Sequence, residues 1–395
     1  MSLKTGATLQ QTPPKNPTST QENLPSTRTA ALRPAHLGLG NRDFSQANLV
    51  FWGTSVTEGG PGVAGGVGPG NGWRRWQDKL RANLRNRLPL YQSVTGSTGY
   101  IPAFYKTFNA GGTSGTIAGG TNIYPNGVTY SSTSLVGYGS GLGSRSLGLA
   151  AAGDWVQFTF TGDAFDLFVS THTTASPVVS VSVDGGAATT YTLPSTTLTA
   201  SRYSVTGLTV GSHTVRATFN TGTVVVDGLM PYNGDSAKGI HVWDAGRGSA
   251  KITDVATSSV FRGFKQMGLI GPSLIGVEWG YNEYFGKVPS ATFESNLQQF
   301  VAACAADVTG SPTFLFIIWP EPTPSGTPAE PWANYVQAIR DVAAATTNGI
   351  VVDFSERLPS YRDNSLGFFY TDLVHPTDKG SQYIADVLAN IIAPK

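Results

Sequence analysis

Between about residue 112 and residue 232 the chain changes its hydrophobic period, and this interruption restricts the possible folds more than any other feature. Trp155–Phe160, Phe165–Val169, Val178–Val183, Tyr191–Leu193, His213–Phe219 and Val224–Val226 alternate apolar and polar residues or are short β-branched runs. Asp184-Gly185-Gly186, Thr206-Gly207 and Val210-Gly211-Ser212 punctuate them. Short strands at this spacing, divided by turn residues, predict an antiparallel β-sandwich, because period two places every second side chain on one face. Nothing in this block has helical spacing.

The flanking blocks, 46–111 and 233–395, have a different texture. Leu49-Val-Phe-Trp52 is a short apolar run that stops at Gly53-Thr54-Ser55 and is followed by Gly and Pro. Trp73, Trp76, Leu80, Leu84 and Leu88 then recur three or four apart with Arg and Lys between them, an amphipathic helix. After residue 233 come the strand runs Gly239–Trp243, Leu274–Trp279, Thr313–Trp319 and Gly349–Phe354. Helical patterns separate them (Phe293 to Cys304, Trp332 to Val342), and a last one closes the chain (Tyr383 to Ile391). Alternating strand and helix implies a parallel sheet covered on both faces, so the chain reads as an α/β domain that carries the sandwich as an insertion.

Charged residues make up 13% of the chain, about half the usual share, and the net charge is +1, so neither nucleic acid nor an anionic membrane is an expected partner. The one cysteine, Cys304, sits in a helical apolar pattern and supports no disulfide framework or thiolate metal site. No apolar run approaches the ~20 residues of a membrane span. The first residues lack the apolar core of a secretory signal. Residues 1–45 are rich in Thr, Gln, Pro, Asn and Ser without a hydrophobic period. They are expected to form an extended arm that docks on a protein partner or a second subunit.

A parallel strand ending in a tight turn presents its last polar side chain at the carboxyl edge of the sheet, where open α/β folds bind ligands. Ser55 occupies such a place and could act as a nucleophile; the plain alternative is that Gly-Thr-Ser only leaves the strand and caps the next segment. Near the other end, Asp372 and His375 lie three residues apart just before the last helix. The carboxylate can hold one imidazole nitrogen and leave the other free to take a proton from a hydroxyl; alternatively Asp372 merely caps a turn. Glu278, Glu283 and Glu321 fall near strand ends and could suggest a glycosidase pair, but Glu278 and Glu283 more simply flank the turn at Asn282. His172, His213 and His241 lack ligand spacing, so no metal site is expected. The glycines of 59–72 lack the Lys and Ser/Thr of a phosphate loop, and no cofactor is expected.

Taken in order, Gly53-Thr54-Ser55, Asp244-Ala-Gly-Arg-Gly-Ser249, Gly280-Tyr281-Asn282-Glu283 and Asp372-Leu-Val-His375 resemble the four motifs of the SGNH (GDSL-type) hydrolase superfamily. The resemblance covers about 46–108 and 233–395 and implies a three-layer, flavodoxin-like domain. It implies Ser55 as nucleophile, His375 as base and Asp372 as its orienting carboxylate. The oxyanion would be held by the N–H of Ser55, a backbone N–H of the second motif and the Asn282 amide. In that second motif Gly248 and Ser249 fit best, with Gly246 as an alternative. Two positions depart from the pattern: Thr54 stands where the superfamily has aspartate, and Glu283 replaces the aspartate after the asparagine. The turn Thr95–Gly99 has a similar texture, but no aspartate or asparagine precedes it at the right place.

The insertion resembles the jelly-roll, carbohydrate-binding-like modules that accompany sugar-directed esterases, and Tyr138, Trp155 and Tyr203 are candidate stacking residues. These resemblances imply a serine esterase that deacetylates a cell-wall or surface polysaccharide, placed outside the cell or on a virion. The rival is a phage-tail or cell-surface adsorption protein that keeps the hydrolase fold to bind glycan.

Overall fold

The computed structural model describes residues 26–59, 75–89, 99–103, 114–116, 128–131, 135–138, 140–171, 176–195, 199–256, 263–323, 327–358 and 363–393. Trp73, His172, most of the 59–72 glycine run and most of the 95–99 turn lie outside these residues.

The chain opens with two short helices, α1 (Ser26–Ala31) and α2 (Arg33–Gly40), then β1 (Gln46–Gly53), α3 (Ser55–Glu58) and α4 (Trp76–Arg87). The antiparallel strands come next: β2 (Ile101–Pro102), β3 (Ser114–Thr116), β4 (Thr129–Tyr130), β5 (Val136–Tyr138), β6 (Ser146–Leu149), β7 (Trp155–Gly162), β8 (Ala164–Thr171), β9 (Val178–Val183), β10 (Thr189–Thr192), β11 (Ala200–Val205), β12 (Gly211–Thr221) and β13 (Val224–Tyr232). The α/β order resumes with β14 (Gly239–Gly246), α5 (Thr253–Ala256), α6 (Gly263–Ile270), β15 (Leu274–Glu278), α7 (Tyr281–Phe285), α8 (Ser290–Asp307), β16 (Thr313–Ile318), α9 (Trp332–Ala345), β17 (Gly349–Asp353) and α10 (Asp378–Ile392).

The five parallel strands are ordered β14-β1-β15-β16-β17. Numbered within this sheet alone, that is 2-1-3-4-5, the flavodoxin-like winding that leaves a crevice at the carboxyl ends on either side of the first strand. Successive side chains of β1 point to opposite faces. Phe51 meets Trp76 of α4 edge to face at 5.0 Å, whereas Trp52 packs on Phe264 of α6 and Phe300 of α8. Helices therefore cover both faces, as the apolar strand runs require.

The antiparallel strands form two sheets, β10-β9-β12-β7-β4 and β11-β8-β13-β6-β5-β3, with β2 pairing β13. Phe158, Phe165, Leu167, Val179, Val215 and Val226 fill the space between them. The pairing of β2 carries the antiparallel lobe back to Ile101, upstream of the expected 112. The two lobes meet over Tyr100, Phe168 and Trp243, whose rings lie 5.5–6.3 Å apart. Of the candidate stacking residues, Trp155 has the Arg216 guanidinium over its ring at 4.1 Å, and the Tyr203 ring lies tilted against Tyr191 with centroids 4.1 Å apart.

The arm needs correction over its described part. Residues 26–40 are helical rather than extended, and they dock on this same chain. Leu32, Ala35 and Leu39, three and four apart, are buried, and Thr313 Oγ1 donates to Ala31 O at 2.6 Å. Eight residues with a proline and two glycines are too short a window for that period to stand out, and tertiary burial supplies the stability that propensity lacks. Residues 1–25 lie outside the described residues. Among the described residues no helix is long and apolar enough to cross a membrane.

Candidate active site

Register brings the motifs to one place. Gly53, the last residue of β1, pairs with Gly246 on one side and Glu278 on the other, so three of the four motif turns leave the sheet at one level. Thr54 caps α3, its hydroxyl accepting from Val56 N–H, and Ser55 is the first residue of that helix. The fourth motif arrives from the loop before α10. His375 Nε2 lies 2.8 Å from Ser55 Oγ, and His375 Nδ1 lies 2.6 Å from Asp372 Oδ2. Asp372 Oδ1 accepts the N–H groups of Val374 and His375 at 3.0 and 3.1 Å. Partial burial by itself would raise the Asp372 pKa; the His375 bond and these two amides outweigh it and hold the carboxyl below its usual range. Leu373, between the two residues, has φ +57°, a left-handed conformation that costs a branched side chain energy. The turn is thereby forced tight enough for Asp372 to reach the ring three residues on.

The second motif is sorted by what its amides already do. Gly246 N–H donates to Asp244 Oδ1 (2.8 Å), Arg247 N–H to Gly53 O (2.9 Å) and Gly248 N–H to Glu58 Oε2 (2.5 Å). Gly248, expected as an oxyanion donor, is instead committed to a buried carboxylate, and Gly246 is equally committed. Ser249 is left, exposed and at φ +60°, with no acceptor recorded for its N–H among the described residues. Asn282 stands at the start of α7, and its Nδ2 gives one hydrogen to Ala250 O at 2.7 Å; a second amide hydrogen remains for a ligand.

Both departures from the superfamily pattern have structural answers. The carboxylate missing at Thr54 is supplied by Glu278 at the end of β15. Its Oε2 accepts Thr54 N–H (2.8 Å) and Thr57 Oγ1 (2.9 Å), and the Thr54 hydroxyl lies 3.0 Å away. Glu278 is 1% exposed; burial raises its pKa, opposed by these hydrogen bonds. Gly53 makes the approach possible, since a Cβ there would lie 2.4 Å from Glu278 Oε2. Glu283, with the longer side chain, ties the Asn282 turn to the second motif: it accepts Gly280 N–H at 3.0 Å and Ile252 N–H at 2.5 Å. Burial pushes its pKa up to about 7. Both glutamates are committed to backbone and hydroxyl donors of these turns, which is not how a glycosidase pair is used. The roles of Glu278 and Glu58 had no signal in the sequence, because each reaches its partner across neighbouring strands.

A hydroxyl, an imidazole and a carboxylate in series can generate an alkoxide-like nucleophile and return the proton to a leaving group. Ser249 N–H, with no acceptor among the described residues, and the second Asn282 amide hydrogen lie on turns that leave the same end of the sheet as Ser55. Such donors can stabilise negative charge on an acyl oxygen.

Residues 223–383 match the GDSL-like lipase/acylhydrolase family. Among solved structures, "Peptidoglycan O-acetylesterase in action, 5 min" superposes with a TM-score of 0.60 at 16% identity, covering 91% of this chain and 94% of that one. Two family two carbohydrate esterases align at lower similarity. The one from Cellvibrio japonicus has a TM-score of 0.28 and 12% identity over 63% of this chain and 91% of its own. The one from Clostridium thermocellum, in complex with cellohexaose, has 0.32 and 13% over 67% and 98%. A search of curated proteins returned no match. The family match spans three of the four motif turns, and the 0.60 superposition carries the same fold over both lobes. The chain thus carries a GDSL-like lipase/acylhydrolase match over residues 223–383 within an SGNH-type α/β fold, and it is a carboxylic ester hydrolase.

Proposed function

We propose that this protein is a serine esterase that removes acetyl groups from a cell-wall or surface carbohydrate, acting outside the cell or on a virion. The observation that carries the reading is the continuous relay Asp372–His375–Ser55, at 2.6 and 2.8 Å. His375 Nε2 takes the Ser55 proton as Oγ adds to the ester carbonyl. The Oγ–C bond forms, and the carbonyl π electrons move onto oxygen. The N–H groups of Ser55 and Ser249 and the Asn282 amide receive that oxyanion. Collapse breaks the C–O bond to the sugar, and the leaving oxygen takes the proton from His375. Water, deprotonated by the same imidazole, then hydrolyses the acyl-serine and restores Ser55. Asp372 keeps the ring oriented and balances its transient positive charge.

The carbohydrate preference is supported by the name of the structure that superposes over 91% of this chain, a peptidoglycan O-acetylesterase. Acetate release from O-acetylated peptidoglycan and from acetylated polysaccharides, with p-nitrophenyl acetate as a general ester, tests the reading in wild type and Ser55→Ala. Release by wild type and its loss in the variant are expected. Equal rates would leave the adsorption-protein reading in its place.

A further inference from the structure

The antiparallel lobe does more than sit beside the hydrolase sheet. Its segment Gly141–Arg145 folds into a tight turn around a short 3₁₀ stretch, Leu142–Ser144, with φ of +70° at Gly141 and Gly143 and +54° at Ser144. Leu142 is fully buried within the α/β core, and its N–H donates to Gln266 of α6 at 2.8 Å. A Cβ on Gly143 would come within 2.7 Å of Gly246 O, so this turn rests directly on the second motif.

The same turn delivers Arg145, 0% exposed, into the α/β lobe. Its Nη1 donates to Asp244 Oδ2 at 3.1 Å, and its Nη2 to the Asp244 carbonyl at 2.9 Å. Nη1 also lies 3.7 Å from Glu58 Oε1. The two carboxylates that Arg145 bridges are those that hold the oxyanion turn: Asp244 accepts Gly246 N–H, and Glu58 accepts Gly248 N–H. Glu58 also lies three residues after the nucleophile, in the same helix.

We propose that Arg145 is a positioning residue for the ester hydrolysis: through Asp244 and Glu58 it fixes the Gly246–Ser249 turn and so aims the Ser249 N–H at the oxyanion. The inference rests on the esterase reading and deepens it. Its consequence is that the antiparallel lobe is part of the catalytic machinery and cannot be removed without loss of activity.

The charge balance supplies a readout that a merely structural arginine would lack. Burial raises the Glu58 pKa; Arg145 and the Gly248 N–H, with Arg247, lower it, and Asp244 opposes them. Asp244 is paired in addition with Arg75, which also holds Asp78. Without Arg145, Glu58 keeps its proton to higher pH, and only the ionised carboxylate grips Gly248 N–H at full strength.

The experiment uses the full chain and p-nitrophenyl acetate, with folded fraction and Tm measured for each variant. Arg145→Met is expected to lower kcat roughly tenfold to a hundredfold, with KM little changed. Its kcat–pH profile should gain an acid limb moved to higher pH. Arg145→Lys should move that limb back towards wild type, and Arg145→Met/Glu58→Gln should lack it. A variant Arg145→Met that lowers Tm but keeps wild-type kcat and pH profile per folded molecule overturns the inference. If Arg145→Met does not fold, Glu58→Gln reads the same strut from its other end, and an unchanged kcat there overturns it equally. Ser55→Ala runs alongside: a wild-type rate equal to that of Ser55→Ala removes the esterase reading itself, whereas a Ser55-dependent rate indifferent to Arg145 removes only the inference.

Discussion

Among the described residues, two Asp–His pairs have nearly the same geometry, one in each lobe. In the α/β lobe His375 Nδ1 lies 2.6 Å from Asp372; in the antiparallel lobe His213 Nδ1 lies 2.7 Å from Asp184. Their second nitrogens separate them. His213 Nε2 faces the Thr209 carbonyl at 2.7 Å, and a carbonyl only accepts, so that nitrogen must carry a hydrogen. With acceptors on both sides, the His213 pKa is raised, first by the Asp184 bond and then by the Thr209 bond. His375 Nε2 faces the Ser55 hydroxyl, which can give its proton away. One ring ties β12 to the turn after β9 between two acceptors, and the other faces a hydroxyl, as the proposed base would. A carboxylate–imidazole pair is therefore not a catalytic unit in itself; the group at the far nitrogen decides.

The largest effect that can break this contrast is the loss of each ring in turn. His375→Ala or Ser55→Ala should cut kcat on p-nitrophenyl acetate by about 10⁴–10⁶, whereas His213→Gln should leave kcat per folded molecule unchanged. A comparable loss from both histidines would dissolve the distinction. Next comes the acceptor side of the reaction. Asn282→Ala should cost about 2.7–4 kcal/mol of transition-state stabilisation, read as kcat with KM little moved. A smaller effect is expected from the carboxylate under the nucleophile turn. Glu278→Gln leaves one buried donor without its acceptor and should lower kcat roughly tenfold. Thr54→Asp combined with Glu278→Gln, which moves the carboxylate to the superfamily's usual position, should recover part of that loss; no recovery would mean the two carboxylates are not equivalent.

The smallest effect sharpens the contrast through stability. The folded protein holds the His213 proton more tightly than the unfolded chain does. Its stabilisation is thus complete below about pH 6.5 and is lost as pH rises through the raised value. Tm measured from pH 6 upward should fall less steeply in His213→Gln than in wild type. An identical slope would show that the Asp184 tie stores nothing.

Much of the architecture was legible in the residues. The change from alternating to helical spacing marks the two lobes, because burial on one face of a strand and burial on one stripe of a helix demand different periods. The parallel sheet was implied by runs such as Leu49–Trp52 and Thr313–Trp319, which no half-exposed strand would tolerate. The helices within 26–40 are not legible in the sequence, since two short segments broken by Pro34, Gly38 and Gly40 carry too few turns to show a period.

Local sequence also determined the chemistry available. Ser55 at a strand end, Asp372 and His375 three apart and Asn282 in a turn are facts of order and spacing, readable without a fold. What only the tertiary structure decided is which amides remain free and what holds them. By sequence Gly248 is a plausible donor, but its N–H is taken by Glu58. Glu278, Asp244 and Arg145 acquire their meaning from neighbours 99 to 224 positions away in the chain. Hydrogen bonds and buried charge depend on distance in space, and a sequence records that distance only where the partners share a turn.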